Sequence, residues 1–374
     1  MSTKRIVIIG PAHPLRGGLA SYDERLAKEF IDNGHDTTIY SFSLQYPSFL
    51  FPGTTQYSSE PAPKNILIKV IINSINPLNW LRVGNNLRKL QPDIIVVRYW
   101  LPFMGPCLGT ILRIVKKNKV TRIVCIADNV IPHEKRFGDK SFTTYFLKPV
   151  DAFITMSEKV LNDIKHFVLE KPVKYIPHPL YDNFGEPIFK TEARQYLQID
   201  ETKKVVLFFG FIRKYKGLDI LLRALKILSD KTQDIYVLVA GEFYEDKAFY
   251  ENLIVELGIS NNLILRTNFI SDSEVKYYLC AADVVIQPYR NATQSGVTPL
   301  AYHFEKPMIV TNVGSLPLMV SHGKVGLITE PEPVALANTI TEFYNIGESH
   351  FIPFIKAEKQ KYSWQHMASA ILNI

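Results

Sequence analysis

Val205-Val206-Leu207-Phe208-Phe209-Gly210-Phe211-Ile212-Arg213-Lys214-Tyr215-Lys216-Gly217-Leu218-Asp219 changes character twice within fifteen residues. The opening apolar run is short and β-branched at its start, as a strand buried on both faces requires. Gly210 and Gly217 then bracket three cations packed into four residues, and Leu218 to Ser229 follows with a helical apolar period. Strand, basic turn and helix in that order make one half of a βαβ unit. The geometry suits a diphosphate: Arg213 supplies a planar fork, Lys216 a point charge, and the helix N-terminus adds partial positive charge.

The same alternation extends in both directions. Downstream, Ile235–Val239, Leu263–Arg266, Val284–Gln287, Met308–Val310 and Gly326–Ile328 read as strands, separated by helices at Lys247–Leu257, Ser273–Ala281, Val297–Phe304 and Pro333–Tyr344. Upstream, strands are expected at Arg5–Ile9, Asp36–Phe42, Ile94–Val97, Arg122–Ile126, Ala152–Thr155 and Lys174–Ile176, with helices around Gly18–Asn33, Leu78–Lys89 and Gly109–Asn118. Pro177-His178-Pro179-Leu180-Tyr181 and the polar stretch to Asp200 mark a domain exit. The expectation is an α/β protein of two doubly wound parallel sheets, with ligands beyond the carboxyl ends of the strands.

Composition narrows the class. The chain has 374 residues, 47% hydrophobic and 21% charged, which is too apolar for disorder. The greasy run Asn65–Ile75 is broken by Lys69 and falls short of the ~20 apolar residues of a membrane span. The apolar stretch Ile6–Ile9 is too short for a secretion signal, so a cytoplasmic protein is expected. Cys107, Cys125 and Cys280 have no metal-ligand or redox spacing, so neither a zinc cofactor nor a disulfide framework is expected. In the cytosol the sequon Asn291-Ala292-Thr293 carries no meaning. Residues 1–150 hold 20 Lys and Arg against 10 Asp and Glu, and the remainder 23 against 26. The basic half calls for an anionic neighbour: a phosphorylated substrate, or a membrane rich in acidic lipid near Arg113, Lys116, Lys117 and Lys119. Nucleic acid is not expected, since no recognition module is present.

Other strand ends offer further candidates. The first βα turn lacks the GxGxxG fingerprint but presents Gly17-Gly18 at a helix entrance, a backbone anion site. Ser295 is placed to cap the helix after the Val284–Gln287 strand, leaving the N–H groups of Gly296 and Val297 for an anionic oxygen. Arg98-Tyr99-Trp100 ends one strand and could form a stacking platform for a ligand ring. Asn129, His133 and Glu134 follow another, where His133 could hydrogen-bond a ligand or accept a proton, with His13 as a competitor. His178, between two prolines, reads as structural.

In order, Phe209-Gly210 through Arg213, Tyr215-Lys216-Gly217, Asp219, Ala240-Gly241, Ala281-Ala282-Asp283 to Pro288, Ser295-Gly296, Lys306-Pro307, Val313-Gly314 and Gly323-Lys324-Val325-Gly326 resemble the spaced signature of the family 4 retaining glycosyltransferases. Gly17-Gly18 and Tyr362-Ser363-Trp364 are similar to that family's ends, so the resemblance covers nearly the whole chain. It implies a GT-B fold, two Rossmann-like domains facing across a cleft. Residues 1–183 would bind the acceptor, 184–200 would link, 201–355 would bind the nucleotide sugar, and a last helix in 356–374 would return to the first domain. The implied reaction transfers a sugar from a nucleoside-diphosphate donor to a hydroxyl of a glycan or lipid-linked saccharide, with retention and without a metal, as in polysaccharide biosynthesis.

By the same resemblance, Arg213 and Lys216 hold the donor diphosphate with Gly17, Gly18, Gly296 and Val297, while Gly241, Glu242, Phe269 and Ile270 line the base. Arg98, Tyr99, Trp100, Asn129 and Glu134 face the acceptor. The family usually carries two glutamates eight positions apart around Ser295. Here neither glutamate has a secure match: either Gln294 and Ser295 take over the polar contacts in a divergent subgroup, or donor binding is altered, and Glu305 stands where a small residue is common. Two alternatives use the same architecture: a nucleotide-sugar epimerase, which needs a strong carboxylate pair that the sequence does not offer, and a non-catalytic nucleotide-sugar-binding scaffold at a membrane.

Overall fold

A computed structural model describes residues 2–47, 55–131, 138–168, 170–232, 234–292 and 295–374. The chain divides into two compact units, Met1–Pro179 with Ser363–Ile374, and Leu180–Tyr362.

The first unit holds β1 (Arg5–Ile9), α1 (Gly18–Asp32), β2 (Asp36–Leu44), β3 (Leu67–Asn73), α2 (Pro77–Leu90), β4 (Ile94–Tyr99), α3 (Gly105–Lys116), β5 (Arg122–Ala127), α4 (Asp139–Leu147), β6 (Ala152–Thr155), α5 (Glu158–Lys165) and β7 (Val173–Tyr175). Its seven strands form one parallel sheet in the order β3-β2-β1-β4-β5-β6-β7. Central strands such as Ile94–Val97 and Ile123–Ala127 are buried on both faces, which explains their unbroken apolar character. The edge strand β3 was not expected from sequence. Only Ile72 of its seven residues is buried, so the run carries no clean period.

The second unit holds α6 (Lys190–Leu197), β8 (Lys204–Phe209), α7 (Leu218–Ser229), β9 (Ile235–Ala240), α8 (Lys247–Leu257), β10 (Leu263–Arg266), α9 (Val275–Ala281), β11 (Val284–Gln287), α10 (Val297–His303), β12 (Met308–Thr311), α11 (Leu316–Met319), β13 (Gly326–Thr329), α12 (Pro333–Ile346) and α13 (Glu348–Glu358). The parallel sheet runs β10-β9-β8-β11-β12-β13. β8 therefore has β9 on one side and β11 on the other, with registers Phe209 to Ala240 and Leu207 to Val285. The chain reverses its winding there, and the crevice beyond the carboxyl ends of β8 and β11 is the topological switch point.

Residues 184–200, expected as a linker, carry α6, which belongs to the second unit. Arg194 donates to Asp283 at 2.9 Å and to the Ala281 carbonyl at 3.0 Å, and Lys190 donates to Asp283 at 2.8 Å. Asp283 in turn accepts the Val205 N–H at 2.7 Å, tying α6 to the amino end of β8. The last helix, α14 (Trp364–Asn373), belongs to the first unit, where Trp364 packs 4.8 Å from the Tyr22 ring. Among the described residues, no helix is long and apolar enough to cross a membrane.

Candidate functional site

Three glycines shape the mouth of the second unit's switch point. Gly210, just after β8, has φ +94°, and Gly241, just after β9, has φ +141°. A Cβ on Gly241 would lie 2.3 Å from the Gly210 carbonyl oxygen, so neither strand exit could approach the other with a side chain there. Gly217 adopts φ +68° at the start of α7, and a Cβ on it would meet the Pro288 carbonyl oxygen at 2.0 Å. The basic loop is thereby pressed onto the exit of β11.

Lys216 is buried, 8% exposed, with its ammonium 5.7 Å from the centre of the Tyr289 ring. Its Nζ passes 3.2 Å from the point that a Gly210 Cβ would occupy, and Val297 Cγ2 lies 3.7 Å from the same point. The glycine, the lysine and the start of α10 thus converge. Among the described residues the Lys216 ammonium has neither a hydrogen-bond acceptor nor a carboxylate partner, and burial, with the Arg213 charge adding to it, pushes its pKa down to about 8. Arg213 is exposed, its guanidinium 5.2 Å from the Tyr244 ring centre, and it too has no carboxylate partner among the described residues. A buried ammonium beside an exposed guanidinium, neither of them neutralised, is an arrangement that an anionic ligand completes.

A clamp that sequence did not reveal holds this loop. Arg290, three residues past β11, donates to both carboxylate oxygens of Asp219, at 2.7 and 2.6 Å, and to the Lys214 carbonyl at 3.2 Å. Its backbone N–H donates to the Tyr215 carbonyl at 2.7 Å. Arg290 and Asp219 lie 71 residues apart, and no spacing rule connects them.

The expected donor residues fall into place unevenly. Gly241 donates its N–H to the Arg266 carbonyl at 2.9 Å, and the Glu242 carbonyl accepts from the Ile212 N–H at 2.8 Å, so β9's exit bridges those of β8 and β10. Glu242 is buried, while Phe269 and Ile270 are half-buried beyond β10. At α10 the expectation needs correction. Gly296, not Ser295, holds the cap position, and the Ser295 hydroxyl accepts the Val297 N–H at 3.2 Å, so that N–H is already used. Glu305 sits at the opposite end of α10 with φ +54°, its carboxylate 2.7 Å from Lys359 and 3.4 Å from Lys356. Burial opposes ionisation there, but the two lysines prevail and hold its pKa below the usual value. Gln294 lies outside the described residues.

In the first unit, Gly17 has φ +101° and Gly18 opens α1, as a tight helix entrance requires. Arg98 and Tyr99, expected on an acceptor surface, are buried. The Arg98 guanidinium donates two hydrogen bonds to Asp128, at 2.6 and 2.7 Å, reaches Asp23 at 3.4 Å and lies 3.9 Å from the Tyr22 ring centre. Burial opposes its charge, the two carboxylates outweigh that, and its pKa is raised, while burial drives the Asp23 carboxyl well above the usual range. Tyr99 shares a hydrogen bond with Thr143 and stacks on Phe146 at 4.1 Å. Of the trio, only Trp100 is half-buried, its indole N–H donating to the Tyr46 hydroxyl. Asn129 is also half-buried, and His133 and Glu134 lie outside the described residues. His13 is anchored by its N–H to Glu24 at 2.6 Å. His178 is buried against Tyr22, and burial pushes its pKa down to about 3, which fits a structural role. All three cysteines are buried, and burial raises each thiol pKa.

The paired sheets, each with its switch point, and the cationic loop of the second unit define a protein of the GT-B class. Sequence profiles agree: residues 16–182 match Glycosyltransferase Family 4, and residues 189–358 match Glycosyl transferases group 1. The chain belongs to this glycosyltransferase family. It is 31% identical over 188 residues to the D-inositol 3-phosphate glycosyltransferase of Mycolicibacterium gilvum, a match covering 49% of this chain and 41% of that protein. An uncharacterized 41.2 kDa protein from the cps region of Klebsiella pneumoniae is 27% identical over 165 residues, 44% of this chain and 41% of the other. The chain thus spans less than half the length of these curated relatives. Among solved structures, sucrose-phosphate synthase from Thermosynechococcus elongatus superposes with TM-score 0.72 at 16% identity, covering 98% of this chain and 97% of that one. Anabaena HepE in complex with UDP gives 0.73 at 16% identity, covering 99% and 100%.

Proposed function

We propose that this protein transfers a sugar from a nucleoside-diphosphate sugar to a hydroxyl of a glycan or lipid-linked saccharide, with retention of configuration. The observation that carries the reading is the un-neutralised pair Arg213 and Lys216 at the switch point of the second unit. Binding of UDP and of UDP-glucose to a protein of the same fold supports a nucleotide-sugar donor.

In the proposed step the bond between the anomeric carbon and the diphosphate oxygen breaks, and the acceptor oxygen bonds to that carbon from the same face. The acceptor's proton passes to the departing diphosphate. Lys216 and Arg213 stabilise the charge that develops on the leaving group. No protein base is needed on this route. The two cations carry the charge compensation, so transfer should persist in a chelator.

Incubation with a panel of nucleoside-diphosphate sugars and a mixed glycan acceptor tests this. Nucleoside diphosphate should be released with sugar on the acceptor, and Arg213→Ala/Lys216→Ala should lose at least 100-fold in rate, the order expected for removing charge stabilisation at a leaving group. Unchanged turnover in a folded double variant refutes the assignment. Interconverted donor without transfer points to an epimerase, and saturable binding without turnover to a scaffold.

A further inference from the structure

The first unit carries an outward surface that neither the reaction nor the packing uses. Between Glu60 and Asp93 the sequence contains no acidic residue, but five cations: Lys64, Lys69, Arg82, Arg88 and Lys89. This acid-free stretch builds the edge strand β3 and the helix α2. The inner face of α2 is committed to the fold. Val83 and Leu87 are buried, and a Cβ on Gly84 would meet Ile114 of α3 at 2.9 Å.

The outer face has a different composition. Leu78 is 76% exposed and Leu81 47%, and Ile75 in the preceding turn is 50% exposed. Arg82, Asn85 and Lys89 continue the Leu78 stripe at helical spacing, and all three are exposed. Among the described residues, Arg82 and Lys89 have no carboxylate partner. Aliphatic side chains at one end of a helix face and unpaired cations along the rest form an amphipathic surface, and solvent alone gives no reason to expose the aliphatics.

We propose that this face of α2, with the Ile75 turn, docks on a lipid surface bearing anionic headgroups. Leu78, Leu81 and Ile75 enter the acyl boundary while Arg82 and Lys89 remain at headgroup level. Charge complementarity selects this occupant: no carboxylate of the stretch repels acidic headgroups, and the aliphatics give a contact that a soluble acidic protein does not require. The sequence alone pointed to another cluster, Arg113, Lys116, Lys117 and Lys119. There Lys116 is already paired with Asp151 at 2.9 Å, and Arg113 is stacked 3.6 Å from the centre of the Tyr145 ring.

The test is sedimentation of the full chain with vesicles of phosphatidylcholine alone or with phosphatidylglycerol at about one lipid in three. The wild type should pellet with the anionic vesicles at low salt and be released by high salt. Leu78→Ser/Leu81→Ser and Arg82→Glu/Lys89→Glu should each weaken partitioning by tenfold or more, while Lys117→Glu/Lys119→Glu should change it less than threefold. All substituted positions are exposed, and unchanged circular dichroism and melting confirm the fold. The proposal is overturned if the wild type ignores anionic vesicles, binds neutral ones equally, or loses binding only in the Lys117/Lys119 variant. It is also overturned if the protein dimerises without lipid and Leu78→Ser/Leu81→Ser abolishes the dimer, because a second copy then covers the face. Sugar transfer to a water-soluble acceptor, measured in parallel, separates failure here from failure of the transferase reading.

Discussion

Arg290 touches neither of the proposed phosphate-binding side chains' charged groups, yet its removal should weaken donor binding. Its guanidinium makes two charge-assisted hydrogen bonds to Asp219 and one bond to the Lys214 carbonyl, while its own side chain is 41% exposed and that of Asp219 17%. Solvent screening at that exposure reduces the ion pair to about 1 kcal/mol, and the carbonyl bond adds about another. Arg290→Ala therefore removes roughly 2 kcal/mol that holds the 213–216 loop against the exit of β11. If the loop loosens, the ligand must supply that ordering free energy, and affinity falls by up to about 30-fold. Isothermal titration should use whichever of UDP, ADP and GDP binds the wild type. Arg290→Lys keeps a point charge but not the fork, and should lose only a few fold. In a donor-saturation assay the change should appear mainly in KM, since Arg213 and Lys216 remain in place for the departing diphosphate. A folded Arg290→Ala protein that melts several degrees lower yet binds within twofold of wild type would show that the clamp contributes to stability only, and the positioning argument would fail.

Two more outcomes follow from the same loop. Because burial brings the Lys216 pKa down to about 8, the free protein loses this charge as pH rises through 8, and diphosphate affinity should fall above that value by up to about tenfold per pH unit. Lys216→Arg, which stays protonated, should hold its affinity flat to pH 10 in the same titration, and a wild-type profile equally flat would contradict the burial argument. Gly241→Ala places a Cβ 2.3 Å from the Gly210 carbonyl oxygen at φ +141° and should destabilise by about 2–4 kcal/mol. Gly258→Ala, at φ +64° with open space around it, should lose only about 1 kcal/mol. Equal melting temperatures for the two variants would rule out the close approach.

What the sequence revealed and what it hid share one physical cause. Strands buried on both faces, such as Val205–Phe209 and Ile94–Val97, are legible because burial alone selects their residues. The edge strand β3 is half wet and mixes Lys69 with aliphatics, and the short helices α4 and α5 are nine and eight residues long, so local periodicity fails for all three. Cations follow a similar rule at longer range. Local spacing shows that Arg98, Lys116, Arg213, Lys216 and Arg290 all lie near strand or helix ends, but not which of them already have a partner. Arg98 is matched by carboxylates 30 and 75 residues away, Lys116 by one 35 residues away, and Arg290 by one 71 residues away. Only Lys216 and Arg213 of these five remain without a carboxylate among the described residues, and both stand at the switch point. The pairing of the other three leaves Lys216 and Arg213 as the two of these cations with charge to spare, which is why the proposed diphosphate is placed there.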